Sequence, residues 1–227
     1  SNDLAQIEKK NRLHTEAEAA TAKVKALADC LIAFELRGLN GNAYEEQRAA
    51  EAEKVQLLMK RDADASVNFQ TPTINQLSAR AREQLHGRRS FRWPVEFPEV
   101  FANGGFDAFV GNPPFMGNKK ITGNLSADYR EFVVATIAGG VRGLADLCAY
   151  YFLRANQLLS PNGIFCLIAT DTISQGGTRE VGLDQICSSG ATIFRAIKSQ
   201  KWPGTANVVV SIIWFSHLNW NGKYALN

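Results

Sequence analysis

The sequence lacks the residue patterns that mark several common kinds of site. Its four cysteines are widely spaced and include no Cys-x-x-Cys pair, the arrangement that many structural zinc sites use. The three histidines, His14, His86 and His217, are scattered along the chain. Neither a Ser-His-Asp nor a Cys-His arrangement stands out. These absences predict that the chain holds no metal site.

Long apolar runs are also missing. No stretch is long enough to span a bilayer, and the start of the chain carries no signal peptide. Cys148 lies in an apolar helical pattern and Cys166 in an apolar strand pattern, as is typical of buried thiols in a reducing cytoplasm. We therefore predict a cytoplasmic protein without a membrane partner. The chain begins with Ser1-Asn2 rather than Met, which is typical of a cleavage scar, so we expect a piece of a longer protein.

The composition is that of an ordinary globular chain. Of its residues, 45% are hydrophobic and 21% are charged, as in ordinary soluble proteins. Its 227 residues can hold one substantial domain, or one domain with a helical appendage. The net charge of +3 is too small to demonstrate a polyanionic partner. Five clustered arginines are compatible either with phosphate contacts or with a solvated surface: Arg80, Arg82, Arg88, Arg89 and Arg92.

Residues 1–90 are predicted to form a helical region or insertion. Residues 3–37 are rich in Ala, Glu, Lys and Leu and contain neither Pro nor Gly, a composition that favours helix. A turn at residues 40–42 precedes a second predicted helix over 44–61, so the two helices are expected to form an antiparallel hairpin. A further short helix is predicted over 77–85.

Residues 91–227 show a different pattern, in which strands alternate with helices. The stretch over 92–98 contains two prolines and is expected to be irregular or extended. Strands are predicted over 108–110, 164–169, 191–197 and 208–215, and helices over 146–159 and 178–188. This alternation predicts an α/β fold, with a largely parallel sheet and helices on its faces.

The most informative segment runs from Phe106 to Phe115 and reads Phe-Asp-Ala-Phe-Val-Gly-Asn-Pro-Pro-Phe. Pro113 and Pro114 cannot donate to a sheet ladder, so the strand is expected to end before them. Ligands of open α/β sheets bind outside the carboxyl ends of the strands. The segment is therefore either a strand-ending turn or a stiff platform that presents an amide, backbone carbonyls and an aromatic ring to a ligand.

The platform suits the methylation of a planar amine, whose nitrogen lone pair is delocalised and weakly nucleophilic. The Asn112 side-chain oxygen and the Pro113 carbonyl are candidate acceptors for the amine N–H groups, and they would localise that lone pair as the nitrogen becomes tetrahedral. Such help is larger in the transition state than in the ground state, which is what catalysis requires. Phe115 would stack on the ring that carries the amine. The candidate catalytic residues are Asn112, Pro113, Pro114 and Phe115.

The segment resembles the catalytic motif of amino-methylating, S-adenosylmethionine-dependent methyltransferases. Its Asn-Pro-Pro-Phe form is similar to that of the gamma-class adenine DNA methyltransferases. Similar tetrapeptides occur in rRNA guanine-amino and protein-glutamine methyltransferases, so the tetrapeptide alone leaves the substrate open. Its flanks resemble the methylase region of large restriction-modification enzymes over residues 88–216, through the segments 91–101, 145–147, 160–163, 168–176 and 202–208.

The resemblance implies a Rossmann-like methyltransferase sheet preceded by the helical hairpin, with 91–227 as the C-terminal part of the catalytic domain. It implies that Asp107 and Asp146 bind the cofactor. Asp146 also begins a predicted helix, and serving as the cap of that helix is its alternative role.

Further candidate residues follow the predicted strands. Thr170, Ser174 and Gln175 come after a buried strand, and we expect them to line the substrate entrance, with an ordinary polar loop as the alternative. By resemblance, Trp202 belongs to the segment that packs beside a flipped base. The alternative for Trp202 is packing in the core or at the rim.

A glycine-rich loop that holds the cofactor precedes the motif in the resembled enzymes. Here the chain before the motif is mostly helical, and the glycine pair Gly38 and Gly41 follows a helix rather than a strand. We expect the main loop for S-adenosylmethionine to lie upstream of this chain, which would leave the chain alone inactive.

The leading prediction is therefore S-adenosylmethionine-dependent methylation of the adenine amine in DNA, within a restriction-modification system. The partner would be double-stranded DNA with a flipped adenine. The alternatives are an rRNA or protein amino-methyltransferase or, for this chain alone, an inert DNA-contacting module.

Overall fold

The computed structural model describes residues 2–37, 41–63, 73–218 and 220–226. The chain divides into two compact units, Ser1–Phe97 and Pro98–Asn227. The described elements of the first unit are helices: α1 (Asn2–Glu35), α2 (Gly41–Ala63), α3 (Ile74–Gln84) and α4 (Trp93–Glu96). The two long helices and the short third helix lie where the composition predicts them. Residue 40 of the predicted 40–42 turn lies outside the described residues, and the prediction is wrong for residues 41 and 42, which begin α2.

The helical unit is held together by side chains of α1. The rings of Phe34 and Tyr44 lie 5.3 Å apart, which joins α1 to α2 as the predicted hairpin requires. The Cys30 thiol donates to the carbonyl of Leu77 in α3, with an S···O distance of 3.7 Å. Arg92 forms an ion pair with Asp29 of α1 and is largely buried. Of the five clustered arginines, Arg92 thus has a structural partner.

The prediction of an irregular or extended stretch over 92–98 is wrong for most of its residues. Trp93–Glu96 is helical, and Pro98 begins the next helix. Proline is well tolerated in the first turn of a helix, because its missing N–H has no partner there and its φ is already helical. The two prolines therefore mark helix starts in this stretch.

The second unit is built around a sheet. Its helices are α5 (Pro98–Ala102), α6 (Asn118–Leu125), α7 (Ala127–Phe132), α8 (Leu147–Leu158), α9 (Gly176–Arg179) and α10 (Gln185–Ser188). A π-helical turn at Val133–Ile137 continues α7, and another at Glu180–Asp184 joins α9 to α10. Its strands are β1 (Phe106–Gly111), β2 (Leu159–Thr170), β3 (Thr192–Lys201), β4 (Val209–Ser216) and β5 (Ala225–Leu226).

The strands lie in the order β1-β2-β4-β3-β5. β1 is parallel to β2 and β5 is parallel to β3, whereas β4 is antiparallel to both of its neighbours. Four of the five strands therefore run in one direction, which confirms the predicted α/β class and the largely parallel sheet. β4 reverses because the short 202–208 link can close a hairpin, whereas a parallel crossover needs a dozen or more residues.

The core lies between the sheet and α8. The rings of Phe165 in β2 and Phe215 in β4 are stacked with centroids 4.7 Å apart. The Phe152 ring of α8 meets both edge-on, at 6.0 and 6.3 Å. All three side chains are fully buried. This packing fixes α8 across the middle of the sheet.

The opposite face of the sheet is more open. Val110 of β1 is 85% exposed and Ile164 of β2 is 41% exposed. Among the described strands, β1 pairs with β2 alone, so its other edge carries no ladder. No described helix has the length and apolar composition needed to cross a membrane.

Candidate functional site

Three loops of the second unit lie at the same edge of the sheet. They follow β1 (residues 112–117), β2 (residues 171–175) and β3 (residues 202–208). The three strands run in the same direction, so their carboxyl ends lie at the same edge. At a strand spacing of about 4.8 Å, the ends of β1 and β3 lie roughly 14 Å apart. We call this edge the carboxyl rim.

The motif segment leaves the sheet immediately after β1, which ends at Gly111 as predicted. Asn112 and Pro114 are exposed, Pro113 is buried and Phe115 is half-buried. Asn112 makes no side-chain hydrogen bond within the described part of the chain, so its amide is available to a ligand. The Phe115 ring packs in part against the hydrophobic core.

A buried carboxylate anchors the residue that follows the motif. Asp146 Oδ1 accepts hydrogen bonds from the backbone N–H of Met116 at 3.2 Å and of Cys148 at 3.0 Å. The Leu147 N–H donates to the Met116 carbonyl at 2.8 Å. Met116 is therefore held at both its backbone donor and its backbone acceptor. Asp146 itself is only 7% exposed.

These contacts show that Asp146 caps α8, which was the alternative to its predicted cofactor role. The same oxygen that caps the helix also fixes the end of the motif segment. Met116 was not singled out by the sequence analysis. Its contribution is a backbone group, and no side-chain pattern signals such a contact.

The loop before α8 is also joined to the start of α9. The Asp146 N–H donates to Thr178 Oγ1 at 3.1 Å. A Cβ at Gly177 would lie 2.7 Å from the backbone nitrogen of Leu144. The two backbones therefore lie too close together for any residue other than glycine at position 177. Thr178, which is buried, thereby links the loop after β2 to the motif segment through Asp146.

The predicted substrate-loop residues lie on the carboxyl rim. Thr170 ends β2, and its hydroxyl lies 2.8 Å from that of Thr172. The Ser174 hydroxyl donates to the Asp171 carbonyl at 3.3 Å, and Gln175 is exposed. The Trp202 side chain is half-buried. Its backbone N–H donates to the Val208 carbonyl at 3.0 Å.

Asp107 lies apart from the other candidates. It sits near the amino end of β1, where Ser160 Oγ donates to its Oδ1 at 3.5 Å. Asn112 lies five positions further along the chain, a rise of roughly 16 Å in an extended strand. The fold thus brings Asn112, Asp146, Thr170 and Trp202 to one edge and leaves Asp107 near the other.

The family of the chain follows from comparison with known proteins. The model of the Eco57I restriction-modification methylase family matches residues 44–188, more than half of the 227 residues. The chain belongs to this family. The match includes the Asn-Pro-Pro-Phe motif, Asp146 and the loop after β2, and it confirms the predicted resemblance to a restriction-modification methylase region. Trp202 lies beyond the matched range.

The chain spans only part of the length of the relatives that it matches. DNA methyltransferase A of Bacillus subtilis (strain 168) is 28% identical over 134 residues, which cover 55% of this chain and 15% of that protein. The type IIL restriction-modification enzyme MmeI, solved in complex with DNA, is 18% identical with a TM-score of 0.47. That match covers 98% of this chain and 37% of the MmeI chain.

The Cys148 thiol, in the first turn of α8, is not reactive. Burial, together with the nearby Asp146 carboxylate, raises the pKa of Cys148 to about 12, so its thiol stays protonated at neutral pH. Within the residues that the structure describes, no group of three or more His, Cys, Asp or Glu side chains is placed to bind a metal ion.

Because Asp146 anchors Met116, its replacement should reduce the order of the motif segment. Asp146→Ala removes the acceptor shared by Met116 and Cys148, and it should lower the free energy of unfolding by about 1–3 kcal/mol. Asp146→Asn keeps an oxygen acceptor and should lose less. Urea denaturation measures the stability, and amide hydrogen exchange at Met116 reports on the anchor itself.

Asp128→Ala is the matched control, because Asp128 is an exposed aspartate in the first turn of α7. It should leave Met116 exchange unchanged. Equal exchange rates at Met116 in the wild type and in Asp146→Ala would contradict the anchoring role.

Proposed function

We propose that the complete protein methylates the exocyclic amine of adenine in DNA, using S-adenosylmethionine, as part of a restriction-modification system. The observation that carries this proposal is the Asn112–Phe115 segment at the carboxyl end of β1, with Asn112 exposed and the following residue anchored. Membership of the restriction-modification methylase family supports DNA as the substrate class.

The proposed chemistry begins with the position of the amine. The Asn112 side-chain oxygen and the Pro113 carbonyl accept hydrogen bonds from the two amine N–H groups. As the N–C bond forms, the nitrogen becomes tetrahedral and positively charged, so both hydrogen bonds strengthen. The amine then loses one proton, for which we assign no strong base. S-adenosylmethionine, when bound, would supply the methyl group from its sulfonium, so that the S–C bond breaks as the N–C bond forms and the sulfur leaves as a neutral thioether.

The anchor at Met116 gives this arrangement its precision. The two prolines restrict the backbone of the motif segment, and Asp146 fixes the segment where it ends. The acceptors are therefore held in place before the substrate arrives. Such preorganisation matters because acceptors that must reorient during the reaction contribute less to the rate.

Phe115 is proposed to stack on the flipped adenine. Its ring is half-buried and packs in part against the core, so one part of the ring is supported while the rest stays accessible. An aromatic platform of this kind holds a base that has left the helical stack.

The residues of this chain do not by themselves fit the cofactor. Among the described elements, helices alone precede β1, whereas the resembled enzymes place a strand and a glycine-rich loop there. Asp107 lies near the far end of β1, and Asp146 Oδ1 is already used by two backbone amides. We propose that the main cofactor loop comes from residues outside this chain. The unpaired edge of β1 and the exposed Val110 support that proposal.

The acceptor role of Asn112 predicts a catalytic defect without a binding defect. In the complete protein, Asn112→Ala should lower kcat by roughly 10²-fold, by analogy with the removal of one hydrogen-bond group from an oxyanion hole. Affinity for DNA should change little. Single-turnover methylation and DNA-binding titrations measure the two quantities. Asn162→Ala is the control, because Asn162 is an exposed asparagine at the other end of β2. Near-normal turnover of Asn112→Ala would remove Asn112 from this role.

The stacking role of Phe115 predicts a graded series. Phe115→Tyr and Phe115→Trp should retain substantial activity, whereas Phe115→Ala should lose stacking worth about 1–3 kcal/mol. The loss should shrink on a mismatched adenine, because an unpaired base costs less to extrude. Phe109→Ala is the control, since Phe109 is also half-buried against the core but lies within β1. Suppose that Phe115→Ala is equally defective on paired and mismatched DNA and that its melting temperature falls. The ring would then serve packing alone.

The cofactor proposal predicts a difference between the chain and the complete protein. This chain alone should bind S-adenosylmethionine weakly or not at all, because the residues that would hold its methionine part lie elsewhere. Calorimetric titration of both proteins measures the difference. Tight, saturable binding to the chain alone would contradict the proposal.

A further inference from the structure

One carboxylate at the carboxyl rim connects three strands. Asp171 directly follows β2, and its Oδ1 accepts hydrogen bonds from Ser199 Oγ of β3 at 2.8 Å and from Ser211 Oγ of β4 at 3.1 Å. In the sheet order, β4 lies between β2 and β3. Asp171 therefore reaches across β4 and ties together two strands that are not neighbours.

Both serine partners need this carboxylate. Ser211 is only 3% exposed, and a buried hydroxyl without a partner is costly. Ser199 has a φ of 55°, which lies in the left-handed region that non-glycine residues rarely adopt. The pairing of β3 with β4 shifts its register between Ile197 and Gln200, around Ser199. A strained residue of this kind persists only where its surroundings hold it.

The position of this bulge gives it a consequence at the rim. Ser199 lies three residues before Trp202, at the entry to the 202–208 loop. Gln200 and Lys201 follow the bulge, pair with Val210 and Val209 of β4, and lead directly into that loop. Hydrogen bonds from Ser199 and then from Ser211 hold the pKa of Asp171 below its ordinary value, and the nearby Lys198 acts in the same direction. Asp171 is therefore a carboxylate at neutral pH and accepts both bonds.

We propose that Asp171 is a positioning residue that, through Ser199 and Ser211, aims the Trp202 loop at the bound DNA. This inference rests on the proposed function, in which the carboxyl rim faces DNA. The motif segment has its own anchor at Asp146, so losing Asp171 should misplace the Trp202 loop and leave the acceptors for the amine in position. The expected defect is in DNA binding and not in the chemical step.

The test compares variants of the complete methylase in steady-state methylation. Asp171→Ala loses both hydrogen bonds and should raise the KM for DNA about tenfold, judging from two lost hydrogen bonds, with kcat changed less than about threefold. Asp171→Asn keeps an oxygen acceptor and should restore most of the KM. Trp202→Ala should show the same KM defect, and combining it with Asp171→Ala should add little, because both changes act through one loop.

Two further variants remove the Ser199 hydroxyl, one keeping the backbone strain and one relieving it. Ser199→Ala loses the hydroxyl but keeps a side chain in the left-handed region, so it should resemble Asp171→Ala. Ser199→Gly loses the hydroxyl and relieves the strain, so its effect on KM should be equal or larger, because the loop direction is no longer fixed. Asp184→Ala is the control for the removal of a carboxylate. Asp184 lies outside the rim loops and pairs with the exposed Arg179. This variant should leave KM unchanged.

Amide hydrogen exchange on the complete methylase tests the positioning without any activity. Residues 199–209 should exchange faster in Asp171→Ala than in the wild type, while α8 exchanges at the same rate. Unchanged exchange in 199–209, or a defect in kcat with a normal KM, would overturn the proposal. If the wild type does not methylate DNA at all, the proposed function fails, and the exchange experiment still decides whether Asp171 holds the loop.

Discussion

The carboxylate of Asp146 joins the helix that packs on the sheet to the segment that carries the motif. Its Oδ1 accepts from the first turn of α8 and from Met116, directly after Phe115. Because α8 packs against the stacked phenylalanines of the core, the motif segment takes its position from the buried core of the unit. The buried carboxyl group is tolerated there because the backbone amides of Met116 and Cys148 satisfy its oxygen.

Local chemistry explains which parts of the fold could be predicted. The end of β1 at Gly111 follows from the two prolines, and the apolar run of β2 is recognisable without any partner strand. The direction of β4 depends on the length of the 202–208 link. That link is too short for a parallel crossover, but the alternation of strands and helices elsewhere in the unit favours parallel strands. The helix at Trp93–Glu96 escaped prediction because proline favours the start of a helix as well as its interruption.

The residues of the candidate site could be predicted only where a short sequence motif identifies them. Asn112 and Phe115 are recognisable from their own motif, whereas Thr178 and Ser199 matter through partners distant in sequence. Such pairs depend on strand register and loop direction, which hydrophobic patterns do not fix. Asp107 was grouped with the cofactor residues by resemblance, and the length of β1 separates it from the carboxyl rim.

The free side of β1 also affects how this chain behaves in solution. Its outer backbone donors and acceptors carry no ladder among the described strands, and the strand contains no proline and a single charged side chain, Asp107. Natural edge strands avoid self-pairing by means of charges, bulges or covering segments. In β1 the charge of Asp107 and the register shift between Phe106 and Ala108 lie near the amino end, so we expect any pairing with a second copy at high concentration to involve Phe109–Gly111. We expect such pairing to change the ligand stoichiometry measured on the separate chain as its concentration rises.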